Sequence, residues 1–167
     1  MPFIRQLKAF LLMKPNMPLW RYCLLAIPIA LLPSAAIWSF VYGSLVYLKV
    51  DFEKYMPPDR TASVEFFLGG VIFAPIVETL LLAGMLRLLS MASSNRLFVA
   101  WAAAMLWGCF HGLIAPLWFF GTVWSFFVFS CGYMIWCKLS FKQGFIAAAA
   151  PHALINFFVF LLVLFDN

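Results

Sequence analysis

The chain has 167 residues, of which 66% are hydrophobic and only 10% are charged, with eleven Lys and Arg against six Asp and Glu. A soluble domain carries about 25% charged residues because its surface faces water, so these charges are too few to cover a soluble globule. The composition excludes an ordinary soluble enzyme, a disordered chain and a nucleic-acid-binding protein, and it indicates an integral protein of the lipid bilayer.

The stretch from Pro2 to Met13 predicts a short helix with one apolar face. That face carries Phe3, Leu7, Phe10 and Leu11. Arg5 and Lys8 fall on other faces of the same helix. Because an amphipathic helix of this kind can lie in the plane of a membrane interface, we expect an interfacial helix before the first span.

Apolar runs predict five membrane-spanning helices, because one span needs about 20 consecutive apolar residues. The runs cover residues 22–48, 64–89, 97–137 and 143–165. The third run is about twice the length of one span, so it predicts two helices that break at Gly112–Pro116, where Gly and Pro favour a turn. The chain is therefore expected to form a single all-α domain over residues 1–167, a polytopic transmembrane bundle of about five spans.

The loop charges predict a cytoplasmic N-terminus, because Lys and Arg are enriched in cytoplasmic loops. Eight basic residues occupy the N-terminal segment and two alternate loops: Arg5, Lys8, Lys14, Arg21, Arg87, Arg96, Lys138 and Lys142. The loop between the first two spans carries balanced charges: Lys49, Asp51, Glu53, Lys54, Asp59 and Arg60. The small size and the lack of transit-peptide features lead us to expect a bacterial inner membrane.

Four polar side chains lie deep within the predicted spans, where an ionisable group costs several kcal/mol unless it faces the bundle interior or a water-filled cavity. They are Glu78 in the second span, His111 in the third, and His152 and Asn156 in the fifth. With about 1.5 Å of rise per residue, they lie roughly 14 to 22 Å from the cytoplasmic ends of their spans, in one layer about 8 Å thick. His152 and Asn156 share a helical face through their i, i+4 spacing. We therefore expect these four residues to form one site.

Glycines in the same spans predict close helix–helix contacts, because small residues let helices in a membrane approach one another. Two flank His111 and three lie along the second span: Gly108, Gly112, Gly69, Gly70 and Gly84. We expect a neighbouring helix to pack against each of them.

A carboxylate with two imidazoles and a carboxamide fits two kinds of chemistry. In a hydrolase, Glu78 tuned by a histidine acts as general base on water, and the other His and the Asn donate hydrogen bonds to an oxyanion. In a metalloenzyme, two His and one Glu form a known zinc-ligand set, although the sequence contains no HExxH pattern. The residues by themselves leave both chemistries open.

Three short motifs resemble those of the CPBP family, the CAAX prenyl protease and bacteriocin-processing (Abi) intramembrane endopeptidases. The family motifs read EExxxR, FxxxH and HxxxN or HxxxB, in that order on separate helices. The corresponding segments here are Glu78–Gly84, Trp107–His111 and His152–Asn156. The resemblance covers roughly residues 64–160, and Trp107 stands where the second motif has Phe.

The resemblance implies a glutamate-dependent intramembrane endopeptidase with its catalytic cavity inside an α-helical bundle. It implies that Glu78 activates the attacking water with the help of His111. It also implies that His152 and Asn156 form the oxyanion hole, and that no metal or other cofactor is required.

The first motif departs from the family pattern at two positions. Thr79 takes the place of the second Glu, and Ala83 takes the place of Arg. Because one acid and one base are lost together, no unpaired charge is left behind, which is consistent with a coherent variant subfamily. We expect the substrate to be a membrane-associated peptide or protein, such as a leader or a C-terminal sorting segment, rather than a CAAX protein. The oligomeric state is left open.

Two alternatives come from other classes of protein. In a b-type haem protein, His111 and His152 would be axial ligands from two helices, but Glu78 would then have no natural role. In a non-catalytic immunity or assembly protein, the polar cluster would only pack helices together.

Overall fold

A computed structural model describes residues 2–13, 16–58 and 61–166, with the side chains of residues 2–5 and 8 outside the description. The described residues form helices and no β-strand, so the predicted all-α fold class is confirmed. Lys14, Asp59 and Arg60, which contribute to the predicted charge pattern, lie outside the described residues.

Among the described residues, five helical stretches are long and apolar enough to cross a membrane, in agreement with the predicted number. They comprise α2 (Leu19–Tyr47), a second span (Val64–Ala92), α5 (Arg96–Ile114), α6 (Trp118–Trp136) and α7 (Phe141–Phe165). The second span joins α3 (Val64–Phe66), a π-helical segment (Phe67–Phe73) and α4 (Ala74–Ala92). The predicted break between the third and fourth spans is confirmed, since α5 ends two residues before Pro116.

The N-terminal helix α1 (Pro2–Leu12) forms as the sequence predicts. Leu11 is buried in the core, and the Phe10 ring stacks on Tyr22 of α2 at a centroid distance of 4.6 Å. The helix therefore packs against the end of the bundle where α2 begins. The side chains of Phe3, Arg5 and Lys8 lie outside the described residues, and the position of α1 in a membrane interface stays a prediction.

Helix α6 occupies the centre of the bundle, where it contacts α2, α5 and α7. It has no charged residue, and every position from Ser125 to Gly132 is buried. A helix that is apolar all round is expected in such a central position. The remaining spans surround α6 and leave much of their own apolar surface exposed, as lipid contact requires.

Side chains of α6 compensate for a proline in α2. Pro33 has no N–H, so the Ile29 carbonyl one turn earlier lacks its usual helical partner. The Trp124 indole N–H donates to that carbonyl at 2.8 Å, and the hydroxyls of Ser34 and Ser125 lie 2.8 Å apart beside it. Because backbone groups in a bilayer must be satisfied within the protein, these bonds fix the contact between α2 and α6.

The glycines beside His111 lie at a close helix contact, as predicted. A Cβ atom at Gly108 would clash with the side chains of Val123 and Phe119 on α6, and one at Gly112 would lie 3.4 Å from the Phe119 Cβ. These glycines therefore let α5 and α6 approach closely around the turn that carries His111.

The same prediction is wrong for Gly69 and Gly84 of the second span, whereas at Gly70 the Asn156 side chain of α7 bonds the backbone carbonyl. Among the described residues, and apart from the nearby backbone of its own helix, a Cβ atom at Gly69 or Gly84 would meet no heavy atom within 4 Å, and one at Gly70 would meet the Phe66 ring of the same span. Gly69 and Gly84 lie on the exposed face. The buried face of α4 is formed by other residues, including Thr79 and Ala83.

Candidate active site

Three of the four predicted site residues meet in the interior of the bundle. The Oε2 atom of Glu78 on α4 lies 3.9 Å from Nε2 of His111 on α5 and 4.0 Å from Nε2 of His152 on α7. The Glu78 side chain keeps 23% of its surface exposed. The carboxylate is thus surrounded by helices on several sides and still reachable from outside the bundle.

Helix direction reduces the difference in depth between Glu78 and His111. Each Cα–Cβ bond in a helix leans toward the helix N-terminus, and α4 runs opposite to both α5 and α7 in the succession of spans. Glu78 therefore leans toward one side of the bundle, whereas His111 and His152 lean toward the other. Residues at slightly different depths can in this way place their polar atoms at one level.

Trp107 also belongs to the site, although in the sequence it was noted only as the aromatic residue of the second motif. Its indole N–H donates a hydrogen bond of 3.2 Å to Oε2 of Glu78. A buried Trp needs a partner for its N–H, and Trp107 lies one helical turn before His111 on the same face. From these two facts the sequence could have predicted that Trp107 lies beside the Glu78 carboxylate.

The backbone of Trp107 also orients His111. Its carbonyl oxygen lies 3.0 Å from Nδ1 of the imidazole. A carbonyl can only accept a hydrogen bond, so Nδ1 carries the proton in this contact. In the neutral ring, Nε2 then presents a lone pair toward Glu78. Two acceptor atoms face each other across the 3.9 Å gap.

His152 is held mainly by aromatic rings. Its imidazole stacks on Phe129 with a centroid distance of 5.2 Å and meets Phe126 edge-on at 5.4 Å. Its Nδ1 atom is buried without a hydrogen-bond partner among the described residues, while Nε2 faces Glu78. The nearby carboxylate favours the tautomer with the proton on Nε2, because that places an N–H rather than a lone pair toward the acid.

Asn156 lies one turn beyond His152 on α7, and its side chain binds the backbone of the second span. Its Nδ2 donates to the Gly70 carbonyl at 2.7 Å. In the π-helical segment the Ala74 N–H bonds to the carbonyl five residues before it, so the Gly70 carbonyl would pair next with residue 75. That residue is Pro75, which has no N–H. Asn156 therefore supplies the hydrogen bond that Pro75 cannot.

The two positions where the first motif departs from the family pattern are both buried. Thr79 is 2% exposed and Ala83 is 7% exposed, so an acid and a base there would face the interior of the bundle. Small uncharged side chains instead allow α4 to pack closely. Both positions therefore pack within the bundle, and Glu78 of the same segment lies beside His111 and His152.

The carboxylate and the imidazoles are further apart than the ligands of one zinc ion. Two ligands at 2.0–2.1 Å from a tetrahedral zinc lie about 3.4 Å from each other, compared with the 3.9 and 4.0 Å separations observed. Within the described part of the chain, no group of three or more His, Cys, Asp or Glu residues is arranged to hold a metal ion.

Comparisons of the chain with protein-family models, with curated proteins and with solved structures give no match.

Proposed function

We propose that the protein is an intramembrane endopeptidase in which Glu78 activates a water molecule for attack on a peptide bond. The observation that carries this proposal is the convergence of two imidazole Nε2 atoms on one oxygen of the Glu78 carboxylate, at 3.9 and 4.0 Å. A carboxylate at this depth needs a partner or a function, and this arrangement gives it acid–base partners.

The separation between Glu78 and His111 suits a bridging water. Polar atoms further apart than about 3.5 Å are commonly joined through water. A water that donates one hydrogen to Glu78 and the other to Nε2 of His111 keeps its oxygen lone pairs free. Its oxygen then attacks the carbonyl carbon while one proton passes to Glu78, which later returns that proton to the leaving amine as the C–N bond breaks.

The negative charge that develops on the carbonyl oxygen needs hydrogen-bond donors. The N–H at Nε2 of His152 faces the same space, and such a donor stabilises an oxyanion in a water-poor site. Asn156 has a second amide hydrogen beyond the one bound to Gly70, and it lies one turn away on the same helix. The resemblance to the CPBP motifs supports the same division of roles, with a membrane-associated peptide or protein as substrate.

The charge distribution of the bundle supports an N-terminus on the cytoplasmic side of the membrane, which we propose to be a bacterial inner membrane. The described basic residues at one end are Arg21, Arg87, Arg96, Lys138 and Lys142. The other end carries two described basic residues, Lys49 and Lys54, and all the described acids outside the site: Asp51, Glu53, Glu65 and Asp166. Positive charge is enriched on the cytoplasmic side, so the end with the basic residues faces the cytoplasm of the inner membrane.

The test compares new peptide termini in membranes from cells that express the wild type or variants. We expect termini that appear with the wild type to disappear with Glu78→Gln and with His111→Ala. The matched control is Glu65→Gln, which removes an exposed carboxylate from the same span and should leave the termini in place. In ¹⁸O-labelled water, each new carboxyl terminus should carry one labelled oxygen, since water is the nucleophile.

Wild-type levels of these termini in both Glu78→Gln and His111→Ala would overturn the proposal. A visible haem absorption in the purified protein that is lost with His111→Ala and with His152→Ala would favour the haem alternative. A cellular phenotype that depends on the protein but is unaffected by Glu78→Gln would favour the non-catalytic alternative.

A further inference from the structure

The Trp107 indole N–H and both imidazoles face the same atom, Oε2 of Glu78. Oε2 of Glu78 lies 3.2 Å from Nε1 of Trp107, 3.9 Å from His111 Nε2 and 4.0 Å from His152 Nε2. The hydrogen bond to Trp107 is the shortest of these three contacts. The indole is therefore placed to determine where this oxygen points.

The packing of Trp107 fixes the direction of its N–H. The residue is 7% exposed, and its ring contacts Phe110 edge-on at 5.8 Å and lies tilted against Phe126 at 5.4 Å. The Phe126 ring also contacts the imidazoles of His111 and His152, each at 5.4 Å. One aromatic ring thus sets the positions of the donor and of both histidines relative to one another.

We infer that Trp107 is a positioning residue of the site, whose indole N–H holds the Glu78 carboxylate in the orientation that faces the two histidines. A hydrogen bond to an ionised acceptor is stronger than one between neutral groups. A Phe at this position, as in the resembled motif, would fill similar space and offer no donor. The catalytic consequence rests on the proposed function, whereas the contact itself does not.

The first experiment tests the contact without any substrate. Trp107 is replaced by Phe, and separately by benzothienylalanine, which keeps the ring shape and has sulfur in place of the N–H. Subtracting the resonance Raman spectrum of a protein substituted at position 107 from that of the protein with Trp107 isolates the band that reports hydrogen bonding of the Trp107 N–H. We expect that band to shift toward a weaker hydrogen bond in Glu78→Ala. An unchanged band would overturn the inference.

The second experiment measures the rate at which the Glu78-dependent termini form. With benzothienylalanine at position 107 we expect the rate to fall by about 10- to 100-fold, because a misplaced reacting group costs up to about 100-fold, while the protein stays folded at the assay temperature. The control is Trp101→Phe on the same helix, where the indole stacks on Phe127 at 4.2 Å; it should leave the rate unchanged.

The two experiments fail in different ways. A shifted Raman band together with a wild-type rate for the benzothienylalanine protein would overturn the positioning role. If the wild type forms no Glu78-dependent termini, the proposed function fails. The Raman band alone then supports or overturns the hydrogen bond from Trp107 to Glu78.

Discussion

At the scale of single residues, the contact between Asn156 and Gly70 has a stability consequence. Asn156→Ala leaves the Gly70 carbonyl without its donor, and hydrogen bonds between membrane helices contribute about 0.6 to 1.7 kcal/mol. We expect a loss of about that size in the free energy of unfolding, measured by denaturant titration in micelles. Because Pro75 is the cause of the unpaired carbonyl, Pro75→Ala supplies a backbone N–H and should reduce the loss caused by Asn156→Ala.

A double-mutant cycle decides between this account and a simple loss of packing. Coupling between the substitutions at positions 75 and 156 is expected because both act on one carbonyl. Pro33 lies in another span, and the Ile29 carbonyl that it leaves without a backbone donor is bonded by Trp124. Pro33→Ala should therefore be additive with Asn156→Ala. Equal losses from Asn156→Ala in the wild type and in the Pro75→Ala variant would contradict the assignment.

At the scale of elements, the turn between α6 and α7 depends on Gly144. A Cβ atom there would lie 2.6 Å from the Cys137 Cβ and 2.9 Å from both its Cα and its backbone N. Backbone atoms cannot move aside as a flexible side chain can, so the start of α7 would be pushed away from the end of α6. We expect Gly144→Ala to lower the free energy of unfolding by about 1–3 kcal/mol.

The matched control for this prediction is Gly84→Ala. Gly84 also lies inside a helix, but a Cβ atom there would meet no atom of the described residues within 4 Å beyond the nearby backbone of its own helix. Ala in a helix is favoured over Gly by about 0.5–1 kcal/mol, so this variant should be as stable as the wild type or more so. Similar losses in both variants, compared in the same unfolding titration, would show that the tight turn is not the cause.

At the scale of the whole molecule, the five spans among the described residues are an odd number, so the start of the first span and the end of the last lie on opposite sides of the membrane. Alkaline phosphatase needs an oxidising compartment to form its disulfides. With the proposed orientation, a fusion after Phe165 should therefore be active and a fusion after Ser93 inactive. A fluorescent protein that folds in the cytoplasm should give the reverse pattern. An active phosphatase fused after Ser93 would show that the orientation is the reverse of the proposed one.

The number, order and limits of the spans could be predicted from the sequence alone, because the length of an apolar run is a property of one segment and needs no knowledge of its neighbours. The depth of Glu78, His111 and His152 within their spans follows in the same way from the rise per residue. This local information was enough to expect that their side chains share one layer.

Only the tertiary structure decided which face of each span packs inward. Lipid is as apolar as the side chains, so hydrophobicity does not distinguish the buried face of a span from its exposed face. For that reason the sequence placed Gly69 and Gly84 at helix contacts that they do not make, did not indicate that Asn156 bonds the Gly70 carbonyl, and did not identify Trp107 as the donor to Glu78. Those assignments depend on contacts between distant segments, which the packing of the bundle determines.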